Sequence, residues 1–462
     1  MDKYPRRTIR SYGFLEANSF YSLPQTYEEA RESILFAGER QLQVCPKGSA
    51  LSFSNVCLLN NGMAIDVLAL NRILHIDREK EEICVQAGTL VPHILQQIMP
   101  MGFTLVGLTG SLGNTVAGNI GNDVNGKDSW KNGHFCQNVL SLKIITAEGI
   151  LLDITPISHP ELFAAIAGGM GLIALVVEVT LKMKRIPSFM VQEERLKLSG
   201  LSDLTHQMDQ LDVTNAEFAY CWTDPYAPLA QLGRGFIQIA HFVKDPTDHP
   251  TEKLQKGFVQ KKRIGPFTPK IFWGIARQFD APFMYGIAGY LKYHLNYSKS
   301  FRPVPFTGYQ YPMLKYLPEW NLKYYPYSFR EIQILFPTQM FHEGFEKIMR
   351  ICRAKKFTPY VCAVRKHKVQ PGYLSFAENG FSMTLNYGLN DHSPKETTIF
   401  EETVIETILQ LGGRIYLGKY PFLSPETVKR MYPGMENFLR IKREIDPKNI
   451  FWSDAADFLI GH

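Results

Sequence analysis

The chain has 462 residues, 45% of them apolar and 20% charged, and a formal net charge of +6. That length predicts two or more domains, and that balance excludes a disordered or fibrous chain; the mild basic bias argues against nucleic acid and suits an acidic ligand or a membrane surface. Seven scattered cysteines, with no CxxC pair, exclude a disulfide framework and a zinc site, so no metal is expected and a reducing, cytoplasmic compartment fits.

The opening MDKYPRRTIRSYGFLEANSFY lacks the apolar core of a signal peptide, and no stretch reaches the roughly 18 to 20 apolar residues of a membrane span. Residues 25–37 read as an amphipathic helix, with Ala30, Ile34 and Leu35 at helical spacing. Strands are predicted at 41–45, 63–67, 73–79 and 82–88. A helix with an early Pro92 and a terminal Gly102 follows. Residues 139–155 predict a hairpin turning at Glu148-Gly149, 160–171 a short helix, and 172–186 a long strand. From about 188 aromatic residues become dense, as in a cap over a large ligand or in a plain sheet core. Residues 258–296 mix Lys and Arg with Phe, Trp, Ile and Tyr. Such a segment can lie on a membrane interface, act as a lid, or be a pair of ordinary amphipathic helices. The last section, 412–462, reads as helical.

No GxGxxG motif follows an early strand, which leaves a Rossmann site without support. Two other small-residue loops take its place: KGSALSFSN (47–55) and LTGSLGNTVAGNIGND (108–123). Small residues let the backbone approach a ligand, and successive N–H groups then form concavities that hold a pyrophosphate.

The two loops sit in a longer order: AIDVLALNRILHID, VQAGTLVPHILQQIMPMGFTL, GNTVAGNIGNDVNGK and ELFAAIAGGMGLIALVVEVTLKM. This order resembles the FAD-binding domain of the vanillyl-alcohol oxidase (PCMH-type) flavoproteins. Further pieces resemble the decaprenylphosphoryl-ribose oxidase branch of that superfamily. These are DVNGKDSWKNGHFCQNV, Phe218–Asp224, Tyr311-Pro312 with Pro318-Glu319-Trp320-Asn321, GGRIYLGK (412–419), Met431-Tyr432-Pro433 and REIDPKNIFWSDAADFL. The resemblance implies an α+β fold. A two-subdomain FAD-binding domain would span 1–187, a substrate-binding cap on an antiparallel sheet 188–411, and a segment returning to the FAD domain 412–462.

It also implies roles for single residues. FAD would be held by Lys47, Gly48, Ser49, Ala50, Leu51, Ser52 and Phe53. The second loop would add Gly110, Ser111, Asn114, Thr115, Gly118, Asn119, Asn122, Asp123, Asn125 and Gly126, with the Ile173-Ala174 stretch, Tyr416 and Lys419 completing the set. Lys419 matches the lysine at the flavin, where a cation stabilises the charge of the reduced ring. Lys366, flanked by Arg365 and Lys368, matches a pocket lysine and is a candidate base in its neutral form, with solvent the other candidate; Trp222, Tyr311, Thr384 and Asn125 would line the substrate pocket. Neither loop carries a His or Cys where covalent members attach FAD, so the cofactor is expected to be non-covalent. His134 and Cys136 read as ordinary loop residues. Three departures bear on substrate: Asn125 replaces a histidine and cannot take a proton at neutral pH, Phe53 replaces a tyrosine, and Thr384 replaces a cysteine.

The resemblance thus implies an FAD-dependent oxidoreductase that oxidises the C2 hydroxyl of a polyprenyl-phosphate-linked ribose to a 2-keto sugar. That is the first half of an epimerisation toward arabinose for a cell-envelope polysaccharide. An NAD(P)H-dependent short-chain reductase would be the partner, and 258–296 a contact with the inner face of the membrane. A soluble aldonolactone or alditol oxidase stands as the alternative, although those carry His-Trp-x-Lys where this chain has Tyr416-Leu417-Gly418-Lys419. A flavin-binding scaffold without catalysis is the other.

Overall fold

In the computed structural model, residues 3–244, 251–279, 282–295, 300–311, 317–359, 362–370, 372–389 and 392–461 are described. Pro312 of the quoted motif, and residues 280, 281 and 296 of the basic segment, lie outside them.

The first half builds a four-stranded sheet, a five-stranded sheet and a two-stranded pairing of Phe103–Thr104 with Lys184–Arg185. Tyr27–Glu39 is helical because Thr26 caps it, its side chain accepting from the Glu29 amide, while Ala30, Ile34 and Ala37 face inward. This helix backs a four-stranded sheet ordered Arg6–Arg10, Glu16–Ser22, Met63–Asp66, Val44–Lys47, whose last two pairings are parallel. The second sheet is antiparallel and five-stranded: Ile73–Asp77, Glu82–Gln86, Leu175–Lys182, Val139–Ile145, Leu151–Ile154. Its hairpin turns where expected, at Gly149, whose φ of 76° puts it in the left-handed region.

Eight strands from residues 190–415 form one antiparallel sheet, ordered Val304–Pro305, Met190–Leu198, Gly235–Phe242, Phe218–Thr223, Cys362–His367, Gly380–Gly388, Phe329–Pro337, Arg414–Ile415. One face is covered by helices. Phe341–Ala354 packs on the strands at 329–337 and 380–388, and Leu201–Asp209 on those at 190–198 and 235–242. The other face meets the small-sheet half. The Ala219 amide donates to the Lys127 carbonyl at 2.7 Å, and Gln310 Nε2 donates to the Leu108 carbonyl at 2.7 Å. A single buried apolar cluster runs through both halves. The C-terminal segment contributes the strand Arg414–Ile415 to the large sheet and helices beyond it. It then bridges back to the first sheet, where Phe451 lies parallel to Val44 and the Trp452 amide donates to the Val44 carbonyl at 2.9 Å.

Candidate flavin and substrate site

A cavity of about 720 Å³ lies between the small-sheet half and the inner face of the large sheet. One wall is the loop that leaves the strand Val44–Lys47. There Ala50 holds φ of 53°, a conformation that non-glycine residues rarely adopt. The second loop forms the opposite wall. The two loops touch: a Cβ built on Gly48 would stand 2.3 Å from Thr115 Oγ1. Thr115 cannot yield freely, because Oγ1 accepts from the Gly118 amide. Ser52 Oγ then ties the first loop to the C-terminal segment, donating to the Gly418 carbonyl at 3.0 Å.

The sheet-facing end of the cavity is charged. Lys419 Nζ forms an ion pair with Glu331 Oε1, and both line the cavity. Burial holds the Lys419 ammonium below its ordinary pKa, against the opposing pull of Glu331. Arg365 Nη1 donates to Asn125 Oδ1 at 2.7 Å, and Gln333 Nε2 reaches the same oxygen at 3.4 Å and Ser382 Oγ at 3.2 Å. Burial also lowers the Arg365 pKa. Tyr416 donates its hydroxyl to the Asn122 carbonyl at 2.5 Å, and burial raises its phenol well above the usual range. Lys47 lines the cavity with its ammonium committed to Asp66 at 2.5 Å.

Five buried polar atoms on the cavity wall have no hydrogen-bond partner: Ser49 Oγ, Asn114 Oδ1, Asn122 Oδ1, Gln333 Oε1 and Arg365 Nε. Each costs about 1–3 kcal/mol if left unpaired. They are spread along both loops and the sheet, so a ligand that satisfies them must be long and polar along its length. FAD fits: small-residue loops admit a pyrophosphate to backbone distance, and Tyr416, Lys419 and Gln333 bring polar side chains to the sheet-facing end of the same cavity.

Comparison with known proteins covers both walls. The FAD binding domain family matches residues 19–155, which hold both loops, and the D-arabinono-1,4-lactone oxidase family matches residues 322–459, which hold Glu331, Gln333, Arg365 and Lys419. The chain is 28% identical over 423 residues to decaprenylphosphoryl-beta-D-ribose oxidase of Mycolicibacterium smegmatis, spanning 89% of this chain and 88% of that protein. It is 27% identical over 213 residues to L-gulonolactone oxidase of Bos taurus, spanning 46% of this chain and 47% of that protein. Residues 19–155 thus carry an FAD-binding domain of the PCMH type.

This flavoprotein is an FAD-dependent oxidoreductase. Of the residues expected to hold its cofactor, Lys47 through Phe53, Gly110, Ser111, Asn114, Thr115, Gly118, Asn119, Asn122, Asn125, Ile173, Ala174, Tyr416 and Lys419 line the cavity. Asp123 and Gly126 do not. Asp123 is buried behind the wall, accepting from the Cys136 amide and meeting His134 Nδ1, both at 3.2 Å. At Gly126 a Cβ would stand 2.4 Å from the Leu108 carbonyl, so that glycine serves the turn rather than the ligand. Among the described residues Cys57 is the one thiol on the wall, and burial raises its pKa to about 11, which keeps it protonated.

The substrate-side expectations need correction. Lys366 points away from the cavity and pairs with Asp212 at 2.6 Å on the helix-covered side of the sheet. Successive side chains of a strand alternate faces, so it is Arg365 that enters the cavity. Trp222, Tyr311 and Thr384 are also off the cavity wall. Trp222 stacks on Phe236 at 5.9 Å, Tyr311 is buried with its hydroxyl unpartnered, and Thr384 lies opposite Gln333 in the sheet.

His134 is more than a loop residue. It joins a buried chain, Asp123 to His134 to His367 (3.0 Å) to Ser382 (2.8 Å), that connects the flavin half to the large sheet. Glu331 and Gln333 were missed by sequence reasoning, and Arg365 entered it only as a neighbour of Lys366. Alternation within FREIQILFP, which puts Glu331 and Gln333 on one face, was the signal available.

Proposed function

We propose that this flavoprotein oxidises a secondary hydroxyl of a polyprenyl-phosphate-linked sugar, in first place the C2 hydroxyl of a pentose such as ribose, to a ketone. The observation that carries the reading is the Lys419–Glu331 pair at the cavity end, facing Arg365, Asn125 and Gln333. FAD, held by the two small-residue loops with Tyr416 and Lys419, would supply the two-electron oxidant that accepts hydride from the carbinol carbon. The hydroxyl proton then needs an acceptor. Asn125 is an amide and Lys366 is turned away; the Glu331 carboxylate, on the cavity wall, takes the proton in preference to solvent. Lys419 holds that carboxylate in place and offsets the negative charge of the reduced cofactor. Arg365 is the cation for a substrate phosphate or sugar oxygen, and its planar fork suits bidentate contact.

The relative that aligns with 89% of the chain is named for decaprenylphosphoryl-ribose, which supports this substrate class. The 2-keto product requires a hydride donor for its return, so a nicotinamide-dependent reductase is the partner, acting toward arabinose at the inner membrane face. A lactone oxidase is the second reading, favoured by the lactone-oxidase family match over 322–459.

The test is anaerobic flavin absorbance of the purified protein. Polyprenyl-phosphoryl-ribose is expected to bleach the flavin, whereas gulono- and galactonolactone are not; the reverse pattern selects the lactone reading. Lys419→Ala and Glu331→Gln should keep the yellow protein and lower the bleaching rate by roughly 10² to 10³. Full-rate bleaching in Glu331→Gln removes it as the base.

A further inference from the structure

The inner face of the large sheet extends beyond the cavity and is roofed there by a helix pair, Pro269–Ala276 and Pro282–Leu295. Inward contacts fix this roof. Tyr285 stacks on Tyr226 at 6.1 Å, Lys292 Nζ lies 3.7 Å from the Trp222 ring centroid, and Gly289 packs so closely on Asp224 that a Cβ would meet it at 2.5 Å. On the first helix, Trp273 is buried and donates Nε1 to the Pro318 carbonyl at 3.1 Å.

The outward side is apolar, the reverse of an ordinary surface helix. Ile271 and Ile275 are 53% and 46% exposed, and Met284, Ile287, Leu291 and Leu295, one face of the second helix, are 46%, 40%, 43% and 76% exposed. Lys261, Lys262, Arg263 and Lys270 are exposed at the base of the pair. From Lys253 to Pro318 the sequence holds eleven Lys or Arg and one acid, Asp280, while the chain as a whole is only +6. The rest of the molecule is therefore net acidic, and the positive charge is gathered on the segment with the exposed apolar face. Among the described residues no helix is long and apolar enough to cross a membrane.

We propose that this face docks on an anionic phospholipid bilayer, with the helices lying in the plane of the headgroups. Aliphatic side chains flanked by cations, with a single acid in the segment, match that surface, and the excess of positive charge favours an anionic bilayer over a protein partner. The geometry has a use. Phe258 and Gln260, at the start of the same segment, line the cavity, so the docked face sets the cavity beside the bilayer. The role rests on the polyprenyl reading, but the docking can be measured without substrate.

The experiment is flotation of the full-length holoprotein with phosphatidylcholine vesicles, with and without phosphatidylglycerol. Flotation is expected with the anionic vesicles and should fade at high salt. Ile271→Glu/Ile275→Glu/Leu291→Glu, and separately Lys261→Glu/Lys262→Glu/Arg263→Glu, should each cut the bound fraction about tenfold or more while full FAD content is kept. Absence of flotation, equal flotation with neutral vesicles, or variants that float like the parent overturns the proposal. So does a protein that stays off the vesicles and dimerises through this face, with the Ile271→Glu set making it monomeric. Flotation without bleaching by the lipid-linked sugar keeps the docking and sinks the substrate; bleaching without flotation does the opposite.

Discussion

Arg365 and Lys366 are neighbours with the same sign of charge and opposite fates. One enters the cavity and the other pairs with Asp212 across the sheet. Arg365→Met should therefore lower kcat/KM by roughly 10- to 150-fold, the loss of about 1.5–3 kcal/mol expected of a charged hydrogen bond. Lys366→Met should leave kcat/KM near the parent value and cost at most about 1 kcal/mol of stability. Steady-state kinetics with urea unfolding check both; equal kinetic losses would restore Lys366 to the pocket. The sequence could not decide between them, because a one-residue slip in a strand exchanges the two faces and nothing local fixes the register. The loop residues were easier to read. Gly48, Ser49, Gly110 and Ser111 cluster small side chains at the ends of strands, and that pattern has few uses besides close approach to a ligand.

At the scale of elements, the small-sheet half was legible from residue 25 onward, since its turns carry glycine and its helices carry caps such as Thr26, whereas the strands Arg6–Arg10, Glu16–Ser22 and Phe103–Thr104 were not read from the sequence. Strand ends differ by a few residues from expectation: 41–45 becomes Val44–Lys47, because pairing with Met63–Asp66 sets the limits. The large sheet was legible as β-rich texture only. Its neighbours Phe218–Thr223 and Cys362–His367 are far apart in the chain, and no short-range signal encodes such pairing. The histidine chain was hidden for the same reason, His134 and His367 being 233 residues apart. The contact between the two small-residue loops yields a prediction. Gly48→Ala puts a Cβ onto Thr115, whereas at Gly110 the nearest atom is 3.8 Å away. Gly48→Ala should lose most bound FAD, an affinity loss of about tenfold or more, and Gly110→Ala should keep it. The ratio of flavin to protein absorbance after gel filtration reads this; equal retention would part the first loop from the cofactor.

For the whole molecule, the seam between flavin half and sheet is pH-sensitive in a definite direction. Burial chiefly, with help from His134 and Arg365, pushes the His367 pKa well below its usual value. Asp123 faces the chain from one end and Ser382 from the other. The folded protein thus keeps His367 neutral, while the unfolded chain takes up a proton as pH falls below about 6.5. Stability from this group is complete above that pH and is lost on acidification, by up to about 1.4 kcal/mol per pH unit. Compared by urea unfolding, His367→Gln should be less stable than the parent near pH 7, and the gap should narrow by about pH 5.5. A gap of constant size would mean that His367 does not carry the effect.

The tie between Ser52 and Gly418 spans 366 residues. A ribosome adding about 5–20 residues per second needs roughly 20 to 70 s to supply that length. Through most of that interval the first loop and its small-residue companion at 108–123 are already made, while Tyr416, Gly418 and Lys419 are not. The wall that faces them across the cavity also lacks the strand Phe329–Pro337 for most of that time, and the clasp of Phe451 on Val44 comes later still. Cofactor loading is therefore a late event in the life of each chain. A nascent protein cut short before Gly418 keeps its flavin loops and has nothing to close them on, so colour marks the completed polypeptide.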